Sequence, residues 1–273
     1  MNPVSETAQD PFVKFKEAQR QSWTRFAPLA TFTTPPAAKL VKHARIKAGQ
    51  LVLDVGCGTG PVAVTAARKG AKVTGLDLTP ELLEHAKENS RVAEVEVEWR
   101  QGDAEDLPFD DATFDVVVSQ FGHIFAPRPE VAVQEMLRVL KPGGTIAFST
   151  WPPELMIGRC MLLTGKYLPK PPVEVPPPSL WGDPNIVRER LGSGVKDLVF
   201  DRDEMFIPAL SPQHYRAVME QTAGPVLKVV ETLKEKDPAA LERFRKESDA
   251  ILAEYAEDNI ITQAFLLTRA TKI

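Results

Sequence analysis

The chain has 273 residues, 33 Lys and Arg against 37 Asp and Glu, with 43% hydrophobic and 26% charged residues. That composition supports a full buried core in one large domain, or a domain with a smaller cap, and excludes a disordered chain. The slight acidic excess argues against a nucleic-acid binder, and no apolar run reaches the roughly 18 residues of a membrane span.

Taken in chain order, residues 1–48 read as helical, with aromatic positions at Phe12, Phe15, Trp23 and Phe26, and Pro35-Pro36 predicts a break before a second helix at 37–44. The N-terminus has no basic flank followed by an apolar stretch, so no secretory signal is read and a cytoplasmic protein is expected. Leu51 to Val55 is a short apolar strand that runs into Gly56-Cys57-Gly58-Thr59-Gly60, and an Ala/Val-rich helix at 61–69 follows. The order then repeats: a strand at 72–77, a helix at 80–88 started by Thr79 and Pro80, a strand at 95–100 and a buried strand at 114–120. A helical period at 130–140 ends in Lys141-Pro142-Gly143-Gly144 before a fifth strand at 145–150. The stretch from Leu168 to Leu180 holds six prolines and reads as an extended connector. Strands at 197–207 and 264–270 enclose a mostly helical, highly charged stretch at 211–257. Strands alternating with helices predict an α/β fold with a doubly wound, mostly parallel sheet, whose ligand sits at the carboxyl ends of the strands.

Three acids fall at three successive strand ends. Asp54 precedes the glycine loop, Asp77 closes the second strand, and Asp103 follows Gly102 after the third. Glycines let a ligand approach the backbone, and the helix N-terminus behind them carries oriented N–H groups. The spacing is G-x-G-x-G rather than G-x-G-x-x-G, and Asp54 would repel a pyrophosphate but attract a cation or an amine. An acid at the Asp77 position can accept both hydroxyls of a ribose, and one at Asp103 can accept from an adenine amino group. Alone, each has a bland reading as a turn or capping residue; together they face one crevice.

On these residues the segment 46–151 resembles the class I S-adenosylmethionine-dependent methyltransferases, in particular the small-molecule branch that includes the ubiquinone and menaquinone methyltransferases (methyltransferase type 11). The stretches that carry the likeness are LVLDVGCGTG, VTGLDLTPELLEHAKE, QGDAEDLPFDDATFDVVVSQFGHIF and QEMLRVLKPGGTIAFSTW. The resemblance implies a Rossmann-like, seven-stranded sheet with an antiparallel last strand. It divides the chain into an N-terminal helical lid (1–45), a cofactor-binding core (46–151), a cap with the sixth strand for substrate recognition (152–257) and the last strand (258–273). It implies S-adenosyl-L-methionine as cofactor and S-adenosyl-L-homocysteine as product. Asp54, Gly56, Cys57, Gly58 and Gly60 would surround the methionine end, Asp77 the ribose, and Leu78, Asp103 and Ala104 the adenine. Ser119, Gln120 and Phe121 would line the cofactor and substrate side. The donor is an already activated sulfonium, so aligned in-line displacement onto an O, N or C nucleophile of a small molecule is the expected reaction.

No metal is expected, since neither an H-E-x-x-H helix nor a paired-cysteine motif is present, and Cys57 and Cys160 are too few for a disulfide framework. His123 is either the base that takes a substrate proton or a packing histidine. Trp23, Met156, Met161 and Trp181 are substrate-side candidates that could equally be packing residues, and Arg128 and Arg159 are either acid-binding or solvated. Two rival readings are an NAD(P)-dependent oxidoreductase and a catalytically inactive S-adenosylmethionine-binding scaffold. The expected state is a monomer or homodimer acting on a small molecule, with no nucleic acid bound.

Overall fold

Five parallel strands, each entering from a helix or a loop on the same end of the sheet, set the frame of the molecule. A computed structural model describes residues 11–170 and 173–273. The first ten residues of the expected N-terminal helix and Pro171-Pro172 of the proline-rich connector lie outside the described residues. Helices α1 (Pro11–Trp23) and α2 (Ala30–His43) precede β1 (Leu51–Val55), α3 (Pro61–Ala67), β2 (Lys72–Asp77), α4 (Pro80–Val92) and β3 (Glu98–Gln101). Then come β4 (Phe114–Gln120), α5 (Pro129–Val139), β5 (Leu140–Thr150), α6 (Met156–Tyr167) and α7 (Pro184–Leu191). The chain closes with β6 (Val195–Pro208), helices α8 (Pro212–Thr222), α9 (Gly224–Lys236) and α10 (Pro238–Ala253), and the hairpin β7 (Ala256–Glu257) and β8 (Ile260–Lys272).

The strand order is β3-β2-β1-β4-β5-β8-β6, with β7 paired to β8. β1, β2, β3, β4 and β5 run parallel, while β8 is antiparallel to both β5 and β6. Central strands buried on both faces read as continuous apolar runs, and Val116, Val117, Val118, Ile146, Ala147 and Phe148 are all buried. From β1 the chain winds outward through β2 and β3, then returns to lay β4 and β5 on the other side. The order therefore reverses between β1 and β4, and a crevice opens at their carboxyl ends.

Several local expectations need correction. Pro35 and Pro36 do not break a helix: α2 runs through both. The rings remove two donors, but Pro36, Ala37, Leu40 and Val41 are buried, and Gln120 Nε2 donates to the Thr33 carbonyl at 2.7 Å. Tertiary packing outweighs the local penalty. The third strand pairs with β2 only from Glu98, because Val95 N–H is spent on the Ser90 carbonyl at the end of α4, which itself runs on to Val92. β5 starts at Leu140, paired to Phe114 before a register shift, so Lys141-Pro142-Gly143-Gly144 is an irregularity inside the strand rather than a turn before it. Thr79 occupies the N-cap of α4 without a side-chain cap bond.

Candidate functional site

The crevice is built by backbone geometry first. Gly58 holds φ +55, its N–H donates to Asp77 Oδ2 at 2.8 Å, and a β-carbon built there would meet no other atom within 4 Å. The open side of the glycine loop is therefore at Gly58. Gly56 does a different job: a β-carbon there would lie 2.9 Å from Gly122 Cα, and one on Gly122 would lie 2.4 Å from the Gly56 carbonyl oxygen. The loop after β1 and the turn after β4 touch backbone to backbone, which only two glycines permit. Gly122 escaped the sequence reading of site residues, although it stands in the quoted SQFG; the signal was a glycine directly after the end of a buried strand.

Phe121, just before it, is a non-glycine residue at φ +58. Such a conformation persists where the surroundings over-determine it. Here the ring stacks on Trp151 with centroids 3.9 Å apart and meets Phe265 edge-on. Ser119 lies behind the turn: its hydroxyl donates to the Val55 carbonyl at 2.6 Å and accepts from His123 N–H at 3.0 Å. It ties β1 to the turn and is wholly buried. Gln120 is held by the α2 carbonyl described above, with Oε1 buried and without a partner.

The acids lie at the strand ends where they were expected. Asp54 is 1% exposed; Oδ2 accepts from Ala63 N–H at 3.1 Å and Oδ1 has no partner. Burial pushes its carboxyl up to about 8, the charge of Asp77 adds to this, and the Ala63 N–H opposes it. Asp77 accepts from Gly58 N–H through Oδ2 and from Thr79 N–H through Oδ1, both at 2.8 Å. Burial raises its carboxyl too, against the pull of those N–H groups. Leu78 and Ala104 are half-buried beside these strand ends. Cys57 is buried against Gly75, and burial pushes its thiol well up, so it stays an unreactive thiol inside the loop.

Asp103 is not bare. Its Oδ2 accepts from Lys16 Nζ of α1 at 2.6 Å and its Oδ1 from Glu105 N–H at 2.9 Å. Lys16 and Glu105 were both absent from the sequence-level candidates; a lone lysine on an amphipathic helix carries no signal of its partner. A cavity of about 700 Å³ lies at the opposite end of the sheet, where Leu51, Lys72 and Phe114 begin their strands. The carboxyl end is covered by α1 instead.

His123 is 1% exposed, tilted against Phe148 and edge-on to Trp181, with ring centroids 4.7 and 4.6 Å away. Burial, reinforced by the Arg190 charge, pushes the imidazole down to about 3. An imidazole that weakly basic is a poor proton acceptor at neutral pH, so the packing alternative is the one its surroundings favour over the base. Trp181 and Met156 are likewise 1% exposed and sit in the core, the indole under the Arg190 guanidinium at 4.4 Å, rather than on an open face. Met161 is half-buried against the core, and Trp23 on α1 packs on Phe26 and Phe125. Arg128 and Arg159 are partly exposed and already paired: the first binds Glu105 and the second Glu254 and Tyr255. Among the described residues no cluster of His, Cys, Asp and Glu could hold a metal, and no helix is long and apolar enough to cross a membrane.

Residues 53–148 match the family model of the methyltransferase domain. An uncharacterised protein of Mycobacterium tuberculosis is 32% identical over 257 residues, 93% of each chain. The malonyl-[acyl-carrier protein] O-methyltransferase of Erwinia pyrifoliae is 41% identical over 112 residues, 41% of each chain. Among solved structures, a putative methyltransferase from Bacillus halodurans shares the fold with a TM-score of 0.57 at 24% identity, over 86% of this chain and 98% of that one. With its glycine loop, strand-end acids and 3-2-1-4-5 parallel order, the chain belongs to the class I S-adenosylmethionine-dependent methyltransferases.

Proposed function

We propose that the protein transfers the methyl group of S-adenosylmethionine to an oxygen, nitrogen or carbon atom of a small molecule. The observation that carries the reading is the glycine loop between Asp54 and Asp77, open in front of Gly58. Gly58 presents backbone with no protein atom in front of it, and Asp54 Oδ1 is a buried acceptor without a donor. Asp77 stands at the end of β2 beside that open backbone, its Oδ2 on Gly58 N–H and its Oδ1 on Thr79 N–H, where a ribose hydroxyl would approach the carboxylate. These residues fit the cofactor: Asp54 would take its ammonium end, Asp77 its ribose, and Asp103 its adenine edge.

When bound, the cofactor supplies an activated methyl group on a cationic sulfur. The chain supplies position and shelter. Ser119 and the Gly56–Gly122 contact hold the two loops that flank the crevice, the Phe121–Trp151 stack fixes the turn after β4, and α1 keeps water from the open end. Nothing in this arrangement asks for a strong base, so a nucleophile already unprotonated near neutral pH suits it best. The small-molecule class is supported by analogy with the demethylmenaquinone methyltransferase of Lactobacillus johnsonii, which matches the core only. The test is a labelled-methyl assay: purified protein, S-adenosylmethionine with an isotopic methyl group, and a small-molecule cell extract analysed by mass spectrometry. A labelled small molecule formed by the native protein and not by Asp77→Ala is expected. Label found only in protein or nucleic acid when those are supplied would overturn the substrate class.

A further inference from the structure

Helix α1 crosses the carboxyl ends of three strands without burying a single residue. Its hold is polar. After β2, Glu81 lies 3.4 Å from Arg20 Nη1; after β3, Asp103 and Glu105 each lie 2.6 Å from Lys16 Nζ; after β4, the Phe125 carbonyl accepts from Gln19 Nε2 at 3.1 Å. The Trp23 ring tilts against Phe125 with centroids 4.7 Å apart. Glu105 is the fixed point of this set: its side chain is fully buried, and it also accepts from Arg128 N–H at 2.6 Å and Nε at 2.8 Å. Asp103 keeps 29% of its side chain exposed. One ammonium thus joins a buried, well-anchored carboxylate to an accessible one.

We propose that Lys16 is a gating residue for the cofactor: it latches α1 over the crevice through Asp103, yields that carboxylate when the adenine edge enters, and stays on Glu105 so that the helix recloses. This rests on the reading of Asp103 as the adenine acceptor. An amino group approaching Asp103 competes with an ammonium already bound, and a charge-assisted bond is the stronger competitor until the helix lifts. The apolar hold of α1 comes from half-buried rings such as Trp23 rather than from any fully buried residue, and contacts between partly exposed charges weaken as salt rises. Glu105, out of solvent, keeps its share of the ammonium, and this makes the motion a hinge rather than a release.

The experiment is stopped-flow binding of S-adenosylhomocysteine, combined with limited chymotrypsin digestion of the cofactor-free protein at about 50 and about 500 mM salt, a range that shortens the screening length from over 10 Å to under 5 Å. Lys16→Met leaves the chymotrypsin sites Phe12, Phe15 and Trp23 intact. Association should rise about fivefold in Lys16→Met, equivalent to roughly 1 kcal/mol off that barrier, and Kd should tighten, because the Lys16–Asp103 bond that the adenine edge must displace is gone. Cleavage within α1 should speed up in step. In the native protein association and cleavage should rise with salt, in Lys16→Met they should rise less, through the remaining Arg20–Glu81 contact alone, and Lys16→Arg should restore native behaviour. Unchanged rates and cleavage in Lys16→Met, with Asp103→Ala weakening equilibrium binding, would overturn the gate alone. Unchanged equilibrium binding in Asp103→Ala would overturn Asp103 as adenine acceptor, and the competition with it.

Discussion

Two glycines of the same loop should fail in opposite ways. Gly58→Ala places a methyl group at φ +55 where no protein atom lies within 4 Å. Its only cost to the fold is the left-handed conformation, about 1–2 kcal/mol. Part of that is offset by the roughly 0.4–1 kcal/mol that alanine removes from the entropy of the unfolded chain. A net loss of about 0–1.6 kcal/mol is expected from those two figures. The Asp77 bond to its N–H survives, since the main chain is unchanged. Gly60→Ala meets the same strain at φ +83, but its methyl would lie 2.5 Å from Trp99 Cη2 and 3.2 Å from Ala86 Cβ. Overpacking of that kind adds about 1–3 kcal/mol, so this variant should lose about 2–4 kcal/mol in all. Urea unfolding measures the first quantity and calorimetric titration with S-adenosylhomocysteine the second. Gly58→Ala should keep a near-native midpoint yet bind at least tenfold more weakly, about 1.4 kcal/mol, because the methyl occupies the ligand's approach. Native affinity in Gly58→Ala would show that the open side of the loop is not the cofactor side. Equal stability of the two variants would refute the packing role of Trp99.

Asp77→Asn keeps one acceptor oxygen but turns an amide N–H toward a backbone donor; it should cost about 2–3 kcal/mol of stability, read by urea unfolding, and weaken S-adenosylhomocysteine as well. For Asp54, a folded-state value of about 8 lies above the usual 3.8, so its contribution to stability is complete below pH 4 and is lost as pH rises through 8. Native stability should therefore decline between about pH 4 and 8, and Asp54→Asn should flatten that slope; parallel slopes in urea melts would refute the buried protonated acid. Binding of the cationic cofactor at pH 7 should release a proton from Asp54, detected as a dependence of binding enthalpy on the buffer's ionisation heat. His123, pushed down to about 3, should show no imidazole titration by NMR above pH 5, and its penalty on stability should develop only as pH falls below 6.5. A midpoint near 6.5 would return it to the candidates for proton abstraction.

The alternation of strands and helices was legible because parallel strands buried on both faces must be continuous apolar runs, as at Val116-Val117-Val118. The glycine loop and the acids at Asp54, Asp77 and Asp103 were legible for a related reason: each lies at or within two residues of the carboxyl end of a strand, where the chain must turn and the crevice must open. What escaped was everything that depends on a partner distant in sequence. The helix through Pro35-Pro36 exists because its apolar face is buried and Gln120 donates to its backbone, 87 residues away. His123 reads as a poised base in sequence and is a neutral ring between Phe148 and Trp181 in the fold, since burial sets the cost of its charge. Gly122 is one more turn glycine until Gly56 is brought against it, and Lys16 one more surface lysine until α1 is laid across Asp103 and Glu105. Periodicity and turn chemistry are local and act through neighbours in the chain, whereas burial, charge pairing and backbone contact are set by which segments meet, and only the tertiary structure decides that.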